Sequence, residues 1–434
     1  MASNYAIRTL DPPQRPYFST TVVPVVDTGL HDAEGVRLVL VNGKAWDHPV
    51  AQAQYAIALI NSYNMTSDAR YLARAKAQAD RLIERATSSR GAIYFPYPFP
   101  WYRGTNDLMT APWYSGMAQG QALTTFVRLY ELTGSGKYRD AATLTYNSFL
   151  NLKSSTLPWV TLVDPGGHLW FDEYPKDIPD WTYNGFIFAA YGVYDYYRLT
   201  HSAGALRLLR GAVTTAGNWF SRFRVPGWIS YYSLTHHAQN WFYHFVHLGQ
   251  MQELYTITGS VGFARFADAL FVDYADRRVN GTVHFSGGTH IGYQFDAIGA
   301  VIASRSYTLV RASHATASTR ESIRGHSGAW LKISDGIWAG YWIQEKPNSA
   351  FLQGLQARSV RYDPPRHVSF AGGTYTGYTF NSAGAVVSHK AATLSRSSPA
   401  ATNMRGIING TTYLRISSGI WAGYWIKLGG GLTY

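Results

Sequence analysis

Tyr130-Glu131-Leu132-Thr133-Gly134-Ser135-Gly136-Lys137-Tyr138 is one of four marks of the same kind in the chain. The others run from Tyr63 to Tyr71, Tyr197 to Ala205 and Tyr255 to Phe263, each with a threonine three residues after a tyrosine. Successive marks are 67, 67 and 58 residues apart. Apolar residues recur at helical spacing before each mark (Ala51 to Ile60, Ala122 to Leu129, Phe186 to Tyr194, Phe242 to Leu254). They do so again after it (Leu72 to Leu82, Ala141 to Leu150, Leu206 to Trp219, Phe263 to Phe271). Helix, tight turn and helix, four times over, make four helical hairpins. Such pairs bury their apolar faces by stacking about a common axis, so the expected fold is mainly α, an incomplete (α/α) toroid or barrel.

Residues 1–45 ahead of it read as an arm with short strands, and 46–278 as the helical domain. Beyond it the pattern turns to β-branched alternation with Gly turns. Val283 to Phe295 is echoed 85 residues on by Val368 to Phe380, and Gly336-Ile-Trp-Ala-Gly-Tyr-Trp-Ile343 returns 83 residues on from Gly419. Two small all-β modules of the SH3-like kind are expected, 279–345 and 366–434, with a polar linker at 346–365. The paired Trp-Ala-Gly-Tyr-Trp signatures suit either a strand core or a platform for glycan or cell wall.

Aromatic residues are 15% of the 434, with 32 Tyr and 14 Trp, a supply suited to stacking on sugar rings. The formal charge of +12 calls for an anionic partner. Lys and Arg are scattered and no nucleic-acid-binding pattern occurs, so an acidic polysaccharide ranks above nucleic acid. There is no Cys, which excludes disulfides and thiolate metal sites and fits an exported protein of a bacterium that avoids Cys, or a thermophile. No apolar run is long enough for a membrane span. An extracellular or cell-surface location is expected, with any signal peptide absent from this sequence.

Three stretches of the helical part gather chemistry. Trp113-Tyr114-Ser115-Gly116-Met117-Ala118-Gln119-Gly120 opens a helix with small residues and amides. Trp170-Phe171-Asp172-Glu173-Tyr174-Pro175 runs on to Asn184-Gly185-Phe186, and Pro175 and Pro179 hold Glu173 on an extended segment entering a helix near Asp180. The third holds Tyr232, His236 and His237, then Tyr243-His244, His247 and Gln250. The long loops Gly91 to Pro112 and Lys153 to Trp181 mark the end where a cavity opens.

In this order the stretches resemble the C-terminal catalytic domain of the D-glucuronyl C5-epimerases of heparan sulfate and heparosan. The Met117 to Gly120 helix start, the Trp170 to Pro175 segment with Asn184-Gly185-Phe186, and Tyr243-His244 with His247 and Gln250 carry the likeness. It covers about Trp46 to Tyr274 and neither β repeat. Two positions depart from the family: Thr235 stands where an arginine is expected, and Asp172 where the first glutamate is.

Epimerisation beside a carboxylate needs one group to take the C5 proton and another to return one on the opposite face. Glu173 and Tyr243 are the pair the residues suggest, and the resemblance implies the same two. Tyr174 and Tyr232 supply further phenols. Arg103, His236, His244 and His247 are candidates for gripping the carboxylate, Gln119 and Asn184 for sugar hydroxyls, and Trp113 for the sugar face. No cofactor and no metal is called for. The expected activity is an isomerase turning D-glucuronate into L-iduronate in a polymer such as heparosan. A polysaccharide lyase, a glycoside hydrolase acting on a uronan, and a non-catalytic glycan-binding protein working through its β repeats stay open beside it, as does a homodimer.

Overall fold

The computed structural model describes residues 4–155, 158–277 and 280–434. The boundary expected between 278 and 279 lies outside the described residues. Among the described residues eight α-helices form four consecutive pairs: α1 (Pro49–Thr66) with α2 (Ala69–Glu84), α3 (Gly116–Thr133) with α4 (Gly136–Ser148), α5 (Tyr183–Thr200) with α6 (Ala203–Phe223), and α7 (Trp241–Thr258) with α8 (Val261–Asp273).

One turn design closes every pair, and it explains the marks. The last helical residue is Thr66, Thr133, Thr200 or Thr258, and its hydroxyl donates to the carbonyl four residues back at 2.6–2.8 Å. The same hydroxyl accepts the backbone N–H two residues on, from Asp68, Ser135, Ser202 or Ser260. Between them sits a residue with positive φ (Ser67, Gly134, His201, Gly259), whose N–H closes on the carbonyl of the marking tyrosine. Threonine thus satisfies groups that the helix end leaves open while the left-handed residue reverses the chain.

The chain divides into two compact units, Met1–Phe223 with Tyr231–Gln250, and Arg224–Ser230 with Met251–Tyr434. In the first, α1, α3 and α5 lie side by side, and α2, α4 and α6 each cover their own partner. Helix α3 is buried continuously from Gly116 to Leu129, as an inner helix must be, whereas α2 buries only the stripe from Tyr71 to Leu82. Helices α3 and α5 meet backbone on backbone. A Cβ at Gly120 would lie 2.3 Å from the Ala189 Cα, and one at Gly192 would lie 2.1 Å from the Gly120 carbonyl oxygen. Gly120→Ala is therefore expected to cost about 2 kcal/mol or more of stability, read from the urea midpoint. The arm reaches the far ends of the inner helices, where Arg15 pairs with the buried Asp195 at 2.8 Å and with Glu131 at 2.9 Å.

Four small hairpins fill the loops at the other end: β1 (Leu38–Val41) with β2 (Lys44–Asp47), β3 (Thr87–Ser89) with β4 (Ala92–Tyr94), β5 (Trp101–Arg103) with β6 (Asp107–Met109), and β7 (Thr161–Val163) with β8 (Leu169–Phe171).

The second unit holds two seven-stranded antiparallel sheets of identical order. The first comprises β9 (Gly281–Phe285), β10 (Gly288–Phe295), β11 (Val301–Leu309), β12 (Ser313–Ser322), β13 (Ala329–Ile333), β14 (Trp342–Gln344) and β15 (Ala350–Leu352), in the order β11-β10-β14-β13-β12-β9-β15. The second comprises β16 (Val360–Phe370), β17 (Gly373–Phe380), β18 (Val386–Leu394), β19 (Ser398–Ile408), β20 (Thr411–Ile416), β21 (Trp425–Lys427) and β22 (Leu432–Thr433). The first tryptophan of each signature is core: Trp338 and Trp421 are buried against Phe285 and Phe370 at 4.9 and 4.8 Å.

Two boundaries differ from the sequence reading. The stretch 346–365 is not a linker, because Ala350–Leu352 pairs with β9 and β16 begins at Val360. Helix α8 also belongs with the sheets: its buried Asp268 accepts from Tyr362 and Arg366, both at 2.6 Å. A carboxylate so placed is stable only with its partners, which ties the helix to β16.

Candidate active site

Glu173 follows β8 on an irregular segment held to the start of α3 by the Gly116 N–H, which donates to the Asp172 carbonyl at 2.7 Å. Helix α5 starts at Tyr183 rather than near Asp180, because Trp181 has φ +53° and cannot sit in a right-handed helix. The loop carrying Tyr232 lies against this entry, the Tyr183 N–H donating to the Tyr232 carbonyl at 3.1 Å. Thr235, in the place of the family arginine, spends its hydroxyl on the Pro179 carbonyl at 2.7 Å.

This folding brings three phenols around one carboxyl. Tyr232 donates to Glu173 Oε1 at 3.2 Å, and the Tyr174 and Tyr232 hydroxyls are 3.1 Å apart. The Tyr243 ring packs on Tyr232 with centroids 4.5 Å apart. Glu173 is only 8% exposed, and its Oε2 is buried without a hydrogen-bond partner among the described residues. Burial pushes its carboxyl up to about 8; the phenol hydrogen bonds oppose that rise and the nearby Asp180 and Asp172 add to it. Burial likewise pushes Asp172 up to about 7, against a bond from the Tyr174 N–H. Tyr243, half-buried, is raised by burial and by Glu173.

The glycine of the Asn184-Gly185 pair makes room for that carboxyl, since a Cβ at Gly185 would fall 1.8 Å from Glu173 Oε2. Gly185→Ala should displace the carboxyl and lower any activity that depends on it by about a hundredfold, measured as kcat with the Glu173 side chain intact.

Glu173, Tyr174 and Tyr243 face a cavity of about 520 Å3. The first turns of all four inner helices meet there, through His48 and Val50 of α1, Ser115 and Met117 of α3, Asn184 of α5, and Phe242 and Tyr243 of α7. Tyr97, Phe99, Trp101 and Trp113 supply an aromatic wall, with Trp113 stacked on Tyr97 at 3.7 Å. The amide oxygen of Asn184 is buried without a partner among the described residues. His48 caps α1 by accepting the Ala51 N–H at 3.1 Å, and burial pushes its pKa down to about 4, so it is neutral.

Five of the expected binding residues lie elsewhere. Arg103 pairs with Asp107 and donates to the Tyr174 carbonyl at 3.3 Å, bracing the segment from behind. Gln119 is consumed by Phe95, Ile93 and Ser148, with contacts of 2.8–3.0 Å. His236 pairs with Asp180. His244 and His247 are buried, His247 against Tyr183, and burial lowers the pKa of His247 to about 3. His48, Gln54, Tyr97 and Ser115 also line the cavity; Ser115 lies within the first of the three stretches and His48 at a Pro-marked helix start, but the sequence reading gave none of the four a role.

A buried carboxyl among phenols, on an aromatic cavity at converging helix ends, is an arrangement able to take up and return protons. Residues 86–271 match the family model of the D-glucuronyl C5-epimerase C-terminus, so this part of the chain is similar to that family. An uncharacterized protein of Methanocaldococcus jannaschii is 26% identical over 208 residues, which are 45% of this chain and 66% of that one. Among solved structures, cellobiose 2-epimerase from Bacillus thermoamylovorans is 13% identical, with 56% of this chain and 65% of that one covered and a TM-score of 0.42. A GH76 α-mannanase from Bacteroides thetaiotaomicron is 15% identical, with 55% and 62% covered and a TM-score of 0.38.

Proposed function

We propose that the helical site inverts C5 of D-glucuronate residues to L-iduronate in an acidic polysaccharide such as heparosan, at the cell surface or outside the cell. The observation that carries this reading is the buried Glu173 carboxyl, raised to about 8 and sharing one cavity with the Tyr243 phenol. Glu173 as carboxylate takes the C5 proton, and Tyr243 returns one to the opposite face. Charge developing on the substrate carboxyl is met by phenol donors and by the N-terminal ends of α1, α3, α5 and α7, whose dipoles present partial positive charge. That arrangement stands in for a guanidinium, since the described residues lining the cavity include no Lys or Arg.

Glycoside hydrolysis by the usual routes uses two carboxyl groups flanking the bond. Among the described residues lining the cavity Glu173 is the one carboxylate, which favours proton transfer at carbon. Incubation with heparosan in D2O, followed by NMR, should show deuterium entering C5 without chain cleavage. Tyr243→Phe is expected to slow that entry by about a hundredfold or more. Growth of a near-ultraviolet absorbance would show elimination and make the enzyme a lyase, and no exchange with any uronan would sink the reading.

A further inference from the structure

Each β sheet carries a groove, lined partly by the edge of its core and partly by side chains of the opposite face. In the first, of about 430 Å3, Tyr293, Phe295 and Trp330 form a shelf, with ring centroids 6.1 Å (Tyr293 to Phe295) and 5.2 Å (Phe295 to Trp330) apart. In the second, of about 620 Å3, Tyr378, Phe380 and Tyr413 do the same at 6.0 and 5.4 Å. The rings occupy equivalent positions of the two repeats. Side chains alternate along a strand, so Gly292 and Gly377 turn to the core, where a Cβ would meet Trp338 at 2.7 Å and Trp421 at 2.8 Å. Tyr293 and Tyr378 therefore turn outward and are only half-buried. Folding alone does not ask for an aromatic shelf on the outer face, yet both copies have one.

Three observations indicate what the shelves hold. Residues 279–434 carry 14 Lys or Arg against 5 Asp or Glu, a net +9 of the chain's +12. An exposed lysine stands on each groove, Lys346 on the first and Lys427 on the second. Trp330, itself 5% exposed on the wall of the first groove, has its indole nitrogen buried without a partner among the described residues. Ring faces for stacking, a donor within the wall and a cation at the mouth match a sugar ring bearing a negative group. The grooves flank one short segment, with Lys346 and Ser349 lining the first and Asn348 and Phe351 the second.

We propose that the two grooves are equivalent binding sites for one anionic polysaccharide chain, engaged together. Because the grooves lie within residues 281–434, they can hold such a chain whatever reaction the helical cavity performs.

The test uses the full chain with fluorescent heparosan, alginate and polygalacturonate, and with dextran and single-stranded DNA for comparison. Lys346→Glu with Lys427→Glu, both at exposed positions that leave folding alone, should weaken polymer binding by about tenfold to a hundredfold at low salt. Tyr293→Ser with Tyr378→Ser should cause a similar loss that persists at high salt. Deuterium exchange into a heparosan tetrasaccharide should be unchanged in both. Undiminished binding in either double variant, failure of all three anionic polysaccharides to bind, or dextran or DNA bound as tightly as the best of them would overturn the proposal. Groove-dependent binding without any C5 exchange would uphold it and remove the epimerase reading instead.

Discussion

Glu173→Gln is expected to lower C5 deuterium exchange by about a thousandfold while leaving the fold intact at pH 6. The protonation state of the native side chain is the reason. With its pKa at about 8, Glu173 is a neutral acid at pH 6, and glutamine copies both its shape and its lack of charge. Tyr232 still has a carbonyl oxygen to donate to, while the amide NH2 takes the place of Oε2, which has no partner among the described residues, and so adds an unsatisfied buried donor. A neutral swap of this kind costs about 1–3 kcal/mol of stability. What glutamine cannot do is ionise and accept a proton from carbon. Urea unfolding and NMR exchange on the same sample separate the two effects. Exchange at a tenth of the native rate or better would remove Glu173 from the base role.

The helical pairs were legible because their turns are local chemistry. Thr133 donates to Leu129 and accepts from Ser135, and the Gly134 N–H donates to Tyr130, all within seven residues, so the mark recurs wherever the turn does. The site was legible where it rests on chain entry points: Glu173 before a proline-broken segment, Asn184 and Gly185 in the first turn of α5, Tyr243 in the first turn of α7. It was not legible where the rotation of an inner helix decides. On α7, Tyr243 and Val246 line the cavity, and His244 and His247, one residue further round, turn away from it. Each step is about 100°, and a helix apolar on most sides offers no stripe to orient it. The same ambiguity put Gln119 at the cavity when Met117 is there. Arg103 misled for a different reason: its nearest acid, Asp107, is supplied by the other strand of the same hairpin, a pairing visible only once β5 and β6 are seen to pair.

The pH dependence of stability and of exchange should run in opposite directions over one window. Glu173 has a folded pKa of about 8 against an ordinary value of 4.5, so the native state holds a proton that the unfolded chain releases between those values. Stability falls with pH wherever the native state binds more protons. The contribution from Glu173 is therefore fully present below about pH 4.5 and lost as pH rises through 8, a change of about 5 kcal/mol for a shift of this size. Asp172, raised to about 7, acts in the same sense; because the two carboxyls feel each other's charge, their effects are not a simple sum. Exchange depends on the ionised form of Glu173 and should climb about tenfold per pH unit below 8, then level off. Wild-type protein should thus unfold at lower urea at pH 8.5 than at pH 5.5, and Glu173→Gln should flatten that slope and be the more stable of the two at pH 8.5. Equal slopes in wild type and variant would show that the carboxyl is not held neutral by burial. An exchange rate that declines through pH 8 would assign Glu173 the acid role and leave Tyr243 as the base.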